Sequence, residues 1–253
     1  MGTMPICKGA RLKLERADHH ISDLEGRIDR LKQRLAVKAH VDTNSGLEYI
    51  KCDFTGSEDR EEFDRLPLIV GDAVHNLKCA LDYVWLESVQ RLIPNGNWDR
   101  TRFPVYPTCD QLQIALRNLK IDTTTPKFFA FLTDEIKPYD GGDFAIRPVH
   151  IVDSGDKHRL LTPVIHYSSI GDIRVEQNGE VHEGFTPATT QPPPLYVGPF
   201  ERGIRIKEPG RPAFSVMFQE GNTETETRAA DTLRIYSRFI LRTVELFENF
   251  VES

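Results

Sequence analysis

Residues 66–92 read LPLIVGDAVHNLKCALDYVWLESVQRL, and this stretch decides the fold. Pro67 suits a first helical turn and Pro94 stops the run, so the sequence predicts a helix from about Leu66 to Leu92. Val70, Val74, Leu77, Leu81 and Val84 make one apolar face, while Leu68, Leu86 and Val89 lie on other sides. A helix that is apolar nearly all round belongs inside its domain.

Working outward, a second helix is expected upstream from about Lys8 to Lys38. Leu14, Ala17, Ile21, Leu24, Ile28, Leu31 and Leu35 alternate spacings of three and four, an a/d seam with charged residues between its members. Such a seam suits packing within the chain's own bundle, and it also suits a coiled-coil homodimer. Asn44-Ser45-Gly46 then marks a turn before the alternating Ile50, Cys52 and Phe54, which predicts a hairpin. Gly56 to Asp64 reads as a polar, acidic connector.

Downstream, residues 103–107 are extended, and short helices are expected over 110–119 and 126–136. A further helix over 144–152 is weakened by Pro148. From about Leu160 the pattern becomes strand-like. Asn178-Gly179 is a hairpin turn, Ile204–Ile206 and Phe214–Phe218 read as separate strands, and Pro192–Pro194 form a stiff connector. A last helix from near Thr223 carries Leu233, Tyr236, Ile240, Val244, Phe247 and Val251 on one face. The expected class is α+β, a bundle of long N-terminal, central and C-terminal helices with a small antiparallel sheet. One interleaved domain over 1–253 is expected, helical over about 8–158 and 223–253 and β-rich over about 159–222.

The chain of 253 residues, 39% hydrophobic and 28% charged, has the composition of a globular core rather than of a disordered segment. A net charge of −6 does not recruit nucleic acid, which needs concentrated positive surface, though it leaves room for a small anionic ligand at a local cationic site. The first twenty residues contain no signal-peptide core, and no apolar run reaches the length of about 18 residues that a membrane span requires. A cytoplasmic protein with reduced thiols is the expectation. Cys7, Cys52, Cys79 and Cys109 lack the spacing of a zinc site, so no metal and no cofactor are expected.

Two polar motifs stand out. On the central helix, Asp72, His75, Cys79 and Asp82 are spaced by three, four and three, so they share one stripe away from the Val70–Leu81 face. Three uses suit this stripe: hydrogen bonds that fix helix register, a general acid or base at His75 oriented by Asp72 or Asp82, or a divalent ion on His75 with Cys79 or Asp72. Asp72 and Asp82 are about 15 Å apart along the axis and cannot share an ion. The second motif is Asp156-Lys157-His158-Arg159, at the junction of a helix and a strand. It offers a carboxylate, an imidazole and two cations, a set that can bind an anion or lock a carboxylate of the central helix in an ion pair. His19 and His20 fall on the exposed part of the first helix, and His150, His166 and His182 have no patterned partner.

The segments Gly71-Asp72-Ala73-Val74-His75-Asn76-Leu77-Lys78-Cys79-Ala80-Leu81-Asp82-Tyr83, Lys137-Pro138-Tyr139 and Asp156-Lys157-His158-Arg159-Leu160-Leu161 resemble a family of bacterial proteins of uncharacterised activity. That family carries a G-D-x-x-H-N-L-R-x-A-L-D-H helix, a Q-P-Y turn and an N-x-D-K-H-R segment. Here Lys78, Tyr83, Lys137 and Ser154 stand where Arg, His, Gln and Asn are usual. The resemblance spans roughly residues 45–165 and implies a bacterial, cytoplasmic protein. Helical ribonucleases of the HEPN type offer a fold-level analogy, but their R-x(4–6)-H spacing does not occur around His75 or His158.

One motif tends to negative charge and the other to positive, so pairing them lowers the desolvation cost of both. The sequence therefore predicts one shared site, with Asp72 or Asp82 close to Arg159 or Lys157. Candidate catalytic residues are His75, Asp82 and His158, and candidate substrate-binding residues are Asp72, Asn76, Asp156, Lys157 and Arg159. The expected function is a binding or structural module whose polar motifs brace the bundle. The alternative is a hydrolase or ribonuclease-like enzyme that uses the His/Asp/Arg cluster on an anionic substrate.

Overall fold

The seam residues of the first helix find their burial within the chain. The computed structural model describes residues 7–34, 36–55, 60–156, 163–184, 194–218 and 229–253. Helix α1 spans Lys8–Arg34, and Leu14, Ala17, Ile21, Leu24, Ile28 and Leu31 are all buried. Leu35 lies outside the described residues.

Helix α2 spans Arg60–Leu92, starting earlier than the predicted Leu66. Glu61, Glu62 and Arg65 are good helix formers, so much of the expected acidic connector winds into the helix. Glu62 also pairs with Arg27 of α1 at 2.7 Å. Pro67 therefore sits within the helix, where it withholds one backbone hydrogen bond. Short helices follow: α3 (Cys109–Asn118), α4 (Ile121–Thr124) and α5 (Pro126–Ala130). The predicted helix over 126–136 forms, but its second half, Phe131–Ile136, widens into a π-helix, and Lys137 N–H donates to Leu132 O five residues back. Helix α6 spans Ile146–Asp156. Pro148 is tolerated because it is the third helical residue, where the backbone N–H has no intrahelical acceptor. The last helix, α7, spans Ala229–Glu252; residues 219–228, including the predicted start near Thr223, lie outside the described residues.

The chain divides into two compact units, 1–23 with 68–161 and 230–253, and 24–67 with 162–229. In the helical unit the first part of α1, most of α2, and α7 pack together. Arg11 forks onto Glu248 at 2.5 and 2.8 Å, Ser237 donates to Asp18 at 2.8 Å, and the Cys7 N–H just before α1 donates to Glu87 at 2.6 Å. An aromatic core lies beneath: Trp85 stacks on Phe128 at 5.8 Å, and Phe128 and Phe131 both meet Phe247 and Phe250. These contacts confirm the expected packing of N-terminal, central and C-terminal helices.

The other unit holds two three-stranded antiparallel sheets. Strands β1 (Ala36–Asn44), β2 (Leu47–Thr55) and β5 (Leu195–Phe200) make one, in the order β1-β2-β5. Strands β3 (Pro163–Gln177), β4 (Glu180–Gly184) and β6 (Arg205–Phe218) make the other, in the order β4-β3-β6. The two hairpin turns fall where read, at Ser45-Gly46 and Asn178-Gly179, each with both residues at positive φ, as a two-residue turn of right-handed twist requires. The early hairpin joins the later strands, since β2 pairs with β5. The two strands expected around 204–206 and 214–218 form one, β6, along β3. Pro209 and Pro212 are admissible there because β6 is an edge strand. Val37, Ile50, Cys52, Ile170, Ile173 and Val175 belong to the common core of these strands. Pro192 and Pro193 of the expected connector lie outside the described residues. Among the described residues no helix is long and apolar enough to cross a membrane.

Two glycines of α1 have opposite surroundings. A Cβ on Gly9 would come within 2.5 Å of the Tyr83 ring, whereas one on Gly26 would meet only Arg30 at 3.5 Å. Gly26→Ala should raise stability by about 0.5–1 kcal/mol through helix propensity. Gly9→Ala should lower it by roughly 1–2 kcal/mol, because overpacking outweighs the same gain. Urea melts of the two variants check the difference in sign.

Candidate functional site

Helix α2 carries the predicted stripe, and the structure divides it into two parts with different surroundings. In the C-terminal half, Lys78 is buried and its ammonium donates to Asp82 Oδ1 at 2.5 Å, one turn along the helix. The same oxygen accepts the Phe103 N–H at 2.9 Å. Asp82 thus ties α2 to the extended segment that precedes α3. A buried ammonium needs such a partner, since an unpaired charge in the interior is strongly destabilising.

The N-terminal half is more open. The His75 side chain is 55% exposed, yet its Nδ1 stands 3.0 Å from Oδ1 of Asp153, a carboxylate only 6% exposed on α6. The Nε2 on the other side of the ring faces Cys79 Sγ at 3.4 Å. His75 and Cys79 are four residues apart and so share one face of α2, while α6 brings Asp153 to them. Asn76, nearly buried, donates to the Asp72 carbonyl at 2.7 Å and turns its own Oδ1 towards the Lys13 ammonium of α1, 3.5 Å away.

The electrostatics follow from burial and these neighbours. Desolvation pushes the Cys79 thiol above its ordinary value; Lys13 pulls it back, and Asp82 and Asp153 add to the rise. His150, one turn before Asp153 on α6, is lowered by burial and then by Lys78 and Arg147, against the opposing pull of Asp153 and Asp82. Its Nδ1 is buried without a hydrogen-bond partner among the described residues.

The arrangement differs from the predicted one in three respects. Asp153 holds His75, not Asp72 or Asp82. Asp82 lies seven residues along α2, about 10 Å of helix rise, and its Oδ1 is occupied by Lys78 and Phe103. Asp72 is exposed, and its charge favours the cation of His20, whose pKa burial and Arg16 push below the ordinary value. Asp156 closes α6, and Lys157, His158 and Arg159 lie outside the described residues, as does any approach of Arg159 or Lys157 to Asp72 or Asp82. Asp153, His150 and Lys13 were missed. Ending the α6 helix at Val152 left Asp153 off it; one further residue places Asp153 on the same face as His150 and beside buried Val149 and Val152.

Among the described residues no group of three or more His, Cys, Asp and Glu side chains is arranged to hold a metal ion. His75, Cys79 and Asp153 fail as a joint ligand set because the thiol and the carboxylate meet opposite nitrogens of the ring. The same geometry suits proton transfer, with one nitrogen anchored and the other presented to a thiol. Comparison with known proteins found no matching family model, no matching curated protein and no matching solved structure.

Removing Asp82 leaves the buried Lys78 ammonium without its partner, although Asp82 itself is 31% exposed. Asp82→Ala should therefore cost about 1–3 kcal/mol, and a Lys78→Met/Asp82→Ala double variant should recover part of that loss in chemical denaturation. His150 supplies a pH dependence. Its folded pKa is depressed, so its contribution is fully present above the unfolded value of about 6.5 and is lost as pH falls through the folded value. Stability should decline on acidification below that point. His150→Phe should flatten part of the decline in denaturant midpoints measured against pH, leaving the share due to His20.

Proposed function

We propose that this chain is a hydrolase-type enzyme in which His75 is the general base, Asp153 is its positioning residue, and Lys13 meets an anionic group of the substrate. The observation that carries the proposal is a half-exposed imidazole anchored at 3.0 Å by a nearly buried carboxylate. A ring that is 55% exposed keeps access from solvent, while a carboxylate that is 6% exposed fixes its Nδ1 side. Anchoring Nδ1 as the donor leaves Nε2 as the acceptor, the form a general base requires. Lys13, held towards Asn76 at 3.5 Å and near enough to Cys79 to pull its pKa down, supplies positive charge to this region despite the overall charge of −6.

A second reading, the binding or structural module braced by its polar residues, is favoured by the C-terminal half of the stripe. The Lys78–Asp82–Phe103 contacts join two segments around a buried ammonium. The proposal therefore assigns Asp82 to the brace and His75 to chemistry. A homodimer through the α1 seam is not part of it, because the seam residues are already buried within one chain. We also carry forward the bacterial, cytoplasmic setting that the family resemblance implies.

The test uses p-nitrophenyl acetate, p-nitrophenyl phosphate and single-stranded RNA as substrates for the wild type, His75→Asn and Asp153→Asn. On whichever substrate the wild type turns over, His75→Asn should lose about 10²–10⁴-fold in rate. Nitrogen-15 NMR should find the His75 proton on Nδ1 in the wild type and a changed tautomer balance in Asp153→Asn, and on the same substrate Asp153→Asn should lower kcat more than it changes KM, a split that a merely structural carboxylate would not produce. Full activity in both variants, or no turnover of any of the three substrates together with a large stability loss in His75→Asn, favours the brace.

A further inference from the structure

The same group of side chains contains a nucleophile in position. We propose that Cys79 is the attacking residue of this site and that its substrates are acyl compounds, esters or thioesters, processed through an acyl-cysteine. This deepens the acid–base proposal for His75 and rests on it.

The geometry supplies the three parts that nucleophilic catalysis needs. The nucleophile–base separation is 3.4 Å from Sγ to Nε2, within the range of a hydrogen bond to sulfur. The base–carboxylate separation is 3.0 Å on the opposite nitrogen. The order thiol, imidazole, carboxylate is thus linear through the ring, so a proton leaving sulfur reaches a nitrogen whose partner nitrogen is already held. Cys79 is partly accessible, whereas Cys7 and Cys52 are fully buried. Their thiols are pushed up to about 12 and about 11, in each case first by burial. Cys109 is partly accessible like Cys79, with Gln113 donating to its sulfur at 3.6 Å. It therefore serves as a comparison cysteine inside the same protein.

Burial keeps Cys79 in its thiol form at rest, so its proton must leave as the bond forms. His75 Nε2 takes the thiol proton while sulfur attacks the acyl carbon. The S–C bond forms and the carbonyl π pair moves to oxygen. The tetrahedral adduct then collapses, and the leaving alcohol or thiol departs with the proton from His75. In the second half, a water gives its proton to Nε2 and adds to the thioester carbon. The S–C bond breaks, the acid is released, and sulfur regains the proton. No oxidant, metal or further reactant enters. Lys13, the cation that most lowers the thiol pKa, supplies the positive charge at this site.

The experiment treats the folded chain with p-nitrophenyl acetate and follows both p-nitrophenolate release and acetylation of each cysteine by peptide mass mapping. Cys79 should be acetylated well before Cys109, with p-nitrophenolate released in an initial burst. His75→Ala should slow acetylation of Cys79 by about a hundredfold. Cys79→Ser, which keeps the side-chain shape, should abolish the burst with native near-ultraviolet circular dichroism retained. Acetylation of Cys79 no faster than that of Cys109, or a rate unchanged in His75→Ala, overturns the assignment. Loss of hydrolysis in His75→Asn with full hydrolysis in Cys79→Ser overturns the nucleophile alone and leaves the acid–base proposal in place. Full hydrolysis in both variants removes both.

Discussion

A helix that is apolar on almost every side must be enclosed, and each polar group it carries must then find its partner inside the enclosure. Helix α2 is under this constraint along most of its length. Ser88 returns its hydroxyl to the Val84 carbonyl, Asn76 returns its amide to the Asp72 carbonyl, and Lys78 closes onto Asp82. These solutions use a residue four positions away, the nearest neighbour on the same face. Two members of the polar stripe also reach outward, Asp82 to the Phe103 N–H and His75 to Asp153.

Those two outward contacts divide the stripe by exposure. Lys78 is 5% exposed and has Asp82 as its ion-pair partner, so the pair is a condition of burying that part of α2. His75 is mostly in solvent and is held from within by a carboxylate that is not. An oriented ring that remains accessible is the form in which proton transfer gains from a fixed geometry, because the cost of alignment is met before any substrate arrives. The π-helical turn and the αL residue Lys137 after it redirect the chain towards α6, which delivers Asp153.

Helix periodicity was legible because burial and the 3.6-residue repeat act on neighbours along the chain. The α1 seam, the apolar faces of α2 and α7, and the hairpin turns at Ser45-Gly46 and Asn178-Gly179 all depend on local geometry. Where local signals misled, tertiary surroundings had overridden them. Pro67 looked like a helix start, yet α2 runs back to Arg60, where Glu62 pairs with Arg27. Pro148 looked like a breaker and falls in a first turn. The segments 204–206 and 214–218 read as separate strands and form one, whose prolines sit on a sheet edge.

The candidate site shows the same division. By itself the sequence determined that Asp72, His75, Cys79 and Asp82 lie on one stripe, because spacings of three and four admit no other placement on a helix. It also determined that the helix bearing them is largely buried. Only the tertiary structure decided which carboxylate holds His75. Asp153 lies 78 residues away on α6, and nothing in the local pattern of either helix encodes that meeting. The tertiary structure also decided that Asp82 is occupied by Lys78 and Phe103 while His75 stays accessible, since exposure depends on which segments cover each turn of α2. Periodicity places a side chain on a face of its helix, but its partner is chosen by packing between segments distant in sequence, where the desolvation of each polar group must be balanced by whatever the neighbouring helix presents.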